Sequence, residues 1–123
     1  MLREWVRHLT TPAPETVKRL GYLREQIAIA ARHRRLHPAW KTHLERSRRF
    51  VMWSAANCPG QEKVTVLGSG GLLDVPLDDL SGDFAEVVLV DIFHSPAVRA
   101  WAAQYPNVYL EEADLTGLVD GLA

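Results

Sequence analysis

Small and acidic residues at the ends of apolar runs are the groups in this sequence best placed for chemistry. Gly68, Ser69 and Gly70 directly follow the apolar run 63–67. A glycine loop lets the backbone bend sharply and approach a ligand, because no Cβ stands in the way. Its amides are expected to face an anionic or zwitterionic group at the next helix start. Asp91 follows a second apolar run, 23 residues after Gly68, and its carboxylate is placed to accept both ribose hydroxyls of an adenosine.

Two neighbouring positions extend this chemistry to an adenine ring. Ile92, next to Asp91, offers an apolar surface for the ring. Asp114 follows a third apolar run, 107–111. Its carboxylate is placed to accept a hydrogen bond from the adenine amino group.

The segments that carry these residues alternate between strand and helix patterns. The run 86–91 is apolar at consecutive positions, which is typical of a parallel strand buried on both faces. Residues 74–80 can support only a short helix, whereas Ser95 as a cap and Pro96 in the first turn predict a clear helix start. With strands at 63–67 and 107–111, this order predicts a mononucleotide-binding half of a doubly wound sheet.

The residues before this half predict two amphipathic helices joined by a short link. Apolar residues recur at helical spacing over 17–31, with Gly21 weakening the helix only slightly. Pro38 should end this helix near residues 36–37, and a second helix should carry an apolar stripe over 40–54. We therefore predict an α/β fold in which an N-terminal helical hairpin (1–60) precedes a three-stranded parallel Rossmann-like half sheet (61–123), packed together as one globular unit. Trp5 and Trp53 are expected to be packing groups.

The charge is divided sharply along the chain. Residues 1–50 hold 12 Lys and Arg against 4 acidic residues, and residues 51–123 hold 2 against 11. This pattern indicates either an arm for an acidic partner or a basic helical half packed on an acidic one. Nucleic-acid binding is not favoured, because Trp40 and Phe50 belong to the apolar faces of the helices. His33, His37 and His43 match no tight zinc signature, so no metal site is predicted.

Composition places the chain among globular proteins of the cytoplasm. Hydrophobic residues make up 47% and charged residues 24%, close to globular averages. The single cysteine, Cys58, cannot form an internal disulfide and indicates a reducing compartment. The longest apolar strand, 87–90, is far shorter than the ~20 residues that span a bilayer. Residues 1–11 do not read as a secretory signal, so we expect a soluble cytoplasmic protein without membrane contact.

Taken together, the segments 64–70, 88–91 and 112–115 resemble the first three motifs of the class I S-adenosylmethionine-dependent methyltransferases. The resemblance covers about residues 63–117. It implies S-adenosylmethionine as the cofactor, with the glycine loop beside its methionine part, Asp91 on the ribose, Ile92 on the adenine and Asp114 on the adenine amino group. The implied cofactor-binding set is Gly68, Ser69, Gly70, Asp91, Ile92, Asp114 and Leu115.

The function that this resemblance predicts is a methyltransferase-like protein with a partial cofactor site. The family's sheet has seven strands, and its catalytic residues commonly follow the fourth, so no catalytic residue is assigned within this sequence. The alternatives are a non-enzymatic self-associating module, a small enzyme whose active site is shared across a dimer, and a fragment of the nicotinamide-cofactor type. A fragment of the nicotinamide-cofactor type would need its third glycine at position 73, where this sequence has Leu73.

The sequence also predicts that the chain associates with a second copy of itself. Without a fourth strand beside it, the strand 63–67 becomes an apolar edge that only Lys63 guards. Exposed apolar edges pair with other chains unless charges, proline or a bulge prevent it. We therefore expect a homodimer in which this edge, or the sheet face beside it, is buried by a second copy.

Overall fold

The computed structural model describes residues 1–117, in which three helices precede an alternation of strands and helices. The predicted α/β class, with helices followed by a three-stranded parallel half sheet, is confirmed. The boundary predicted at residue 123 lies outside the described residues. No helix in this part of the chain is both long and apolar enough to cross a membrane. The elements are α1 (Leu2–Thr10), α2 (Glu15–Arg19), α3 (Tyr22–Ala56), β1 (Lys63–Leu67), α4 (Leu77–Asp83), β2 (Glu86–Asp91), α5 (Pro96–Ala102) and β3 (Val108–Glu112).

The sheet has the order β1-β2-β3, and both pairings are parallel. Each crossover passes through a helix and moves one strand further in the same direction. Right-handed crossovers of this kind place α4 and α5 on the same face of the sheet. That face holds the main core, which Val64 and Val66 of β1, Val87 and Leu89 of β2, and apolar residues of α3, α4 and α5 build together. The central strand β2 is buried at its four inner positions, as its continuous apolar pattern predicted.

The two crossover helices follow the sequence signals to different degrees. Ser95 caps α5 as predicted, and its hydroxyl accepts a hydrogen bond from the Val98 amide at 3.3 Å. The helix ends at Ala102, because the chain turns through Tyr105 before β3. Helix α4 is short, as expected, but it begins at Leu77 rather than near residue 74.

The prediction of one helix that continues through Gly21 to residues 36–37 is wrong at Gly21. This glycine has φ 81°, in the left-handed region that interrupts a right-handed helix. The chain therefore breaks into α2 and α3 at a residue that was expected only to weaken the helix. Helix α1 was not predicted at all.

The predicted hairpin is a single bent helix. Helix α3 runs for 35 residues, and Leu36 is the one position inside it with non-helical angles (φ −110°, ψ 16°). A reversal of the chain needs a loop of about two to five residues. The ring of Pro38 crowds the carbonyl four residues earlier, and one distorted residue relieves this crowding by bending the helix.

The N-terminal helices are attached to the loop that follows β2. Val17 of α2 and Leu23 of α3 form a buried cluster with Phe93. The side-chain amide of Gln26 donates a hydrogen bond to the Phe93 carbonyl at 2.9 Å. The basic helices are therefore joined to the carboxyl end of the sheet.

Several aromatic residues expected in the core are exposed. Trp5 is mostly exposed, and Phe50 and Trp53 of α3 are 66% and 63% exposed. The rings of Phe50 and Trp53 stack on each other, with centroids 6.0 Å apart. The packing prediction fails because α3 meets the sheet layer through Val51, Met52 and Ala55, and both rings lie off that stripe.

Candidate functional site

The parallel topology brings the predicted ligand residues to one edge of the sheet. Leu67, Val90 and Glu111 stand at the same level on the three strands. The glycine loop therefore follows β1 beside Asp91, and Asp114 follows β3 on the other side of Asp91. Ligands of open α/β sheets bind outside these carboxyl ends.

The glycine loop has a backbone that only glycine adopts easily. Gly68 and Gly70 have φ of 72° and 53°. The amides of Gly68 and Ser69 donate to the Val90 carbonyl at 2.8 and 3.3 Å, which holds the loop on β2. A Cβ added at either glycine would meet no other atom within 4 Å. The loop thus needs glycine for its conformation, and the space beside both glycines is open.

The carboxylate of Asp91 is fixed by two backbone amides. Its Oδ2 accepts a hydrogen bond from the Gly70 amide at 2.7 Å, and its Oδ1 accepts one from the Ile92 amide at 2.7 Å. These bonds join the glycine loop to the end of β2 through one half-buried side chain. A carboxylate has about four acceptor positions, so each oxygen keeps one after binding its amide.

The expectation that a helix start next to the glycine loop helps its amides to face a ligand group is wrong. Helix α4 begins only at Leu77, with residues 71–76 between it and the loop. Leu72 has φ 60° and is buried, and its amide donates to the Ser69 carbonyl at 3.1 Å. The chain turns into the core here, because Leu72 and Val75 join the main apolar cluster before a helix forms.

Ser69 has a buried hydroxyl without a partner. The residue is 3% exposed, and its Oγ makes no hydrogen bond within residues 1–117. Buried polar groups are usually paired, since an unpaired one costs roughly 1–3 kcal/mol of desolvation. The hydroxyl is therefore an unused donor and acceptor inside the glycine loop.

The remaining predicted residues have different surroundings. Ile92 is half-buried and packs against the cluster of Val17, Leu23 and Phe93, so part of its side chain serves to hold the helices. Asp114 closes a turn, because its Oδ1 accepts hydrogen bonds from the Thr116 amide at 3.0 Å and hydroxyl at 2.6 Å. Leu115 is exposed.

Sequence reasoning missed a polar network behind this edge. His94 is 0% exposed, and its amide donates to the Glu112 carboxylate at 3.1 Å. Arg99 donates through Nε to the His94 carbonyl at 3.1 Å and also forms an ion pair with Glu112. The network ties the loop after β2 to the end of β3, which supports the position of Asp91. No spacing signal marks it, since its members meet only after α5 returns the chain to β3.

The imidazole of His94 donates a hydrogen bond to β3. Its Nε2 lies 3.0 Å from the Glu111 carbonyl, which can only accept, so Nε2 carries the proton. Its Nδ1 is buried and makes no hydrogen bond within residues 1–117. The ring is thus a buried structural group under the site.

Asp78 joins the two crossover helices beside the core. Its Oδ1 accepts hydrogen bonds from the Trp101 indole at 3.2 Å and from the Tyr105 hydroxyl. The hydrogen bond to the Asp78 carboxylate, helped by burial, raises the pKa of Tyr105 above its ordinary value of 10.0. Trp101 and Tyr105 also pack against the main core.

Two open grooves lie outside the glycine loop and Asp91. One, of about 680 Å³, follows β1, and the other, of about 820 Å³, lies between α1 and α3. Neither is lined by a predicted cofactor residue. No group of three or more His, Cys, Asp or Glu side chains is placed to hold a metal ion within residues 1–117.

The carboxyl edge thus combines three features that suit a polar ligand. It has a glycine loop beside open space, a carboxylate held by two amides, and a buried hydroxyl that has no partner among the described residues. No protein family model, curated protein or solved structure matches this chain, so the likeness to the methyltransferases rests on the residues of the three motifs alone.

Proposed function

We propose that this chain is a methyltransferase-like binding module that takes S-adenosylmethionine at the carboxyl edge of its sheet. One observation carries the proposal: the Asp91 carboxylate is held at the end of β2 by the amides of Gly70 and Ile92. This fixes it at the position where the resemblance assigns the ribose. A carboxylate that is already oriented loses less entropy when it binds two hydroxyls.

The other groups of the edge fit the same ligand. Each Asp91 oxygen keeps an acceptor position for a ribose hydroxyl. The Ser69 hydroxyl has no hydrogen-bond partner among residues 1–117 and can therefore pair with the ligand. The sulfonium of the cofactor is a cation, and residues 51–123 carry 11 acidic against 2 basic residues.

The proposal concerns binding and not methyl transfer. The groups that the carboxyl edge presents, chiefly Asp91 and Asp114, are those that the resemblance assigns to cofactor binding. The exposed free thiol of Cys58 supports a reducing, cytoplasmic setting for this function.

Calorimetric titration with S-adenosylmethionine and S-adenosylhomocysteine tests the proposal. We expect wild type to bind, and Asp91→Asn to bind at least about tenfold more weakly, or about 1.4 kcal/mol, because a charged acceptor is lost. The matched control is Asp79→Asn, which removes the same charge from an exposed position on α4. It should bind as wild type does.

A second variant separates binding from folding. Ser69→Ala removes a hydroxyl that has no partner in the described part of the chain, so the free energy of unfolding should stay equal or rise by about 1 kcal/mol. Affinity for the cofactor should nevertheless fall. Wild-type protein that binds neither compound, or equal affinity of wild type and Asp91→Asn, would contradict the proposal.

A further inference from the structure

The outer side of β1 is an apolar surface with no partner among residues 1–117. The groove of about 680 Å³ is lined by Val64 and Val66 of β1. Its lining also includes residues of α3 (Phe50, Val51, Ala55) and of α4 and its end (Leu80, Phe84). This β1 groove lies beside an unpaired strand edge, because β1 pairs only with β2 in the described sheet.

The polar groups of that edge can be assigned residue by residue. The Gly68 amide donates to Val90, and the Glu62 carbonyl accepts from Glu86. Even-numbered residues of β1 therefore direct their backbone groups toward β2, and odd-numbered residues direct theirs outward. The outward N–H and C=O groups belong to Lys63, Thr65 and Leu67.

The outward groups of one copy can pair with those of a second copy across a two-fold axis. When two copies of β1 lie antiparallel with Thr65 facing Thr65 of the second copy, Lys63 faces Leu67 of the second copy. All three positions then form hydrogen-bonded pairs, so every outward N–H meets an outward C=O. Shifting the register by two residues leaves one of these positions outside the strand pairing. The central register also keeps the two lysines apart.

The same axis brings the exposed aromatic rings together. A two-fold axis perpendicular to the sheet places both copies of α3 on one face, on either side of the new strand pair. Phe50 lines the β1 groove and is 66% exposed, and Trp53, which stacks on it, is 63% exposed. Aromatic side chains bury roughly 150–250 Å² each, so four such rings offer about 400–600 Å². Specific interfaces start near 1,200 Å² in total, and the strand edges and groove walls of both copies add to the rings.

We infer that β1 is the two-fold interface of a homodimer, in which it pairs antiparallel with β1 of a second copy centred on Thr65. The result is a continuous six-stranded sheet of order 3-2-1-1-2-3, with the two α3 helices packed across its centre. The inference is independent of the proposed ligand function, because no predicted cofactor residue lines the β1 groove.

Sedimentation of the full chain at micromolar concentrations tests the inference. The variants carry a positive or a negative side chain in place of Thr65. The Thr65 side chain is exposed, so Thr65→Lys and Thr65→Glu should each fold. Each places like charges face to face at the axis and should raise the dimer Kd by at least about tenfold. An equimolar mixture of the two variants should form the heterodimer again.

The matched control is Tyr109→Lys, which lies in the same cross-strand row on the opposite edge of the sheet and is also exposed. It should leave the dimer intact, whereas Trp53→Ala should weaken it. A wild-type monomer, or a dimer that tolerates Thr65→Lys, would overturn the inference. Failure of the mixture to reassociate would overturn the register centred on Thr65. Circular dichroism confirms that each variant is folded.

Discussion

Removal of the Asp91 side chain is the most direct perturbation of the carboxyl edge. Asp91→Ala leaves the amides of Gly70 and Ile92 without their 2.7 Å acceptor. A hydrogen bond to a charged group contributes roughly 1.5–3 kcal/mol, and two are lost. Asp91 is only half-buried, so water can reach the released amides and recover part of this energy. We therefore expect the free energy of unfolding to fall by about 2–3 kcal/mol.

Urea unfolding followed by circular dichroism measures this change in the absence of any ligand. At roughly 4 °C per kcal/mol for a chain of this size, the melting temperature should fall by about 8–12 °C. Asp91→Asn retains a single acceptor oxygen, so it should lose about half as much. The exposed Asp79→Ala should change stability by less than about 0.5 kcal/mol.

The outcome separates two roles of Asp91. A loss below about 0.5 kcal/mol for Asp91→Ala would refute the reasoning that this carboxylate anchors the glycine loop. A large loss without any cofactor binding in the wild type would leave Asp91 as a structural group and remove the ligand proposal.

Two further predictions concern the core and its pH dependence. The raised pKa of Tyr105 means that its hydrogen bond to Asp78 contributes stability below pH ~10 and that this contribution is lost as pH rises through the folded-state pKa. Absorbance titration of tyrosinate should show one late-titrating group, absent in Tyr105→Phe and moved toward 10.0 in Asp78→Asn; an unchanged profile in both variants would contradict this. Leu89→Ala, at a 0% exposed position in the central strand, should cost about 2–5 kcal/mol. Leu9→Ala, at a 57% exposed position, should cost little, and equal effects would refute the core assignment.

The strands and their order could be predicted from local pattern. Lys63–Leu67 and Glu86–Asp91 carry apolar runs that end at glycine or an acid, and the structure places both strands at these bounds. The Ser95-Pro96 pair likewise specified where α5 begins, because capping depends on residues that are neighbours in the chain. Crossovers of this length made the sheet parallel, which in turn brought the glycine loop, Asp91 and Asp114 to one edge.

The helical half was harder to predict because its breaks depend on single residues. Gly21 adopts a left-handed conformation that separates α2 from α3, and Pro38 bends α3 without reversing it. A helical pattern with one glycine or proline is compatible with a weak point, a bend or a turn. The choice among them depends on which surfaces the flanking helices bury, as Val17 and Leu23 do against Phe93.

The sequence by itself determined the class of fold, the three strands and the edge at which the polar groups gather, because these follow from hydrophobic period and chain connectivity. Only the tertiary structure decided how those groups are used. The Asp91 carboxylate meets the Gly70 amide across 21 positions of chain, and the His94 network forms between β2, α5 and β3. The exposure of Phe50 and Trp53 was also decided there, since the packing angle of α3 selects which of its residues meet the core. Such contacts join residues that are distant in sequence, and no local periodicity records them.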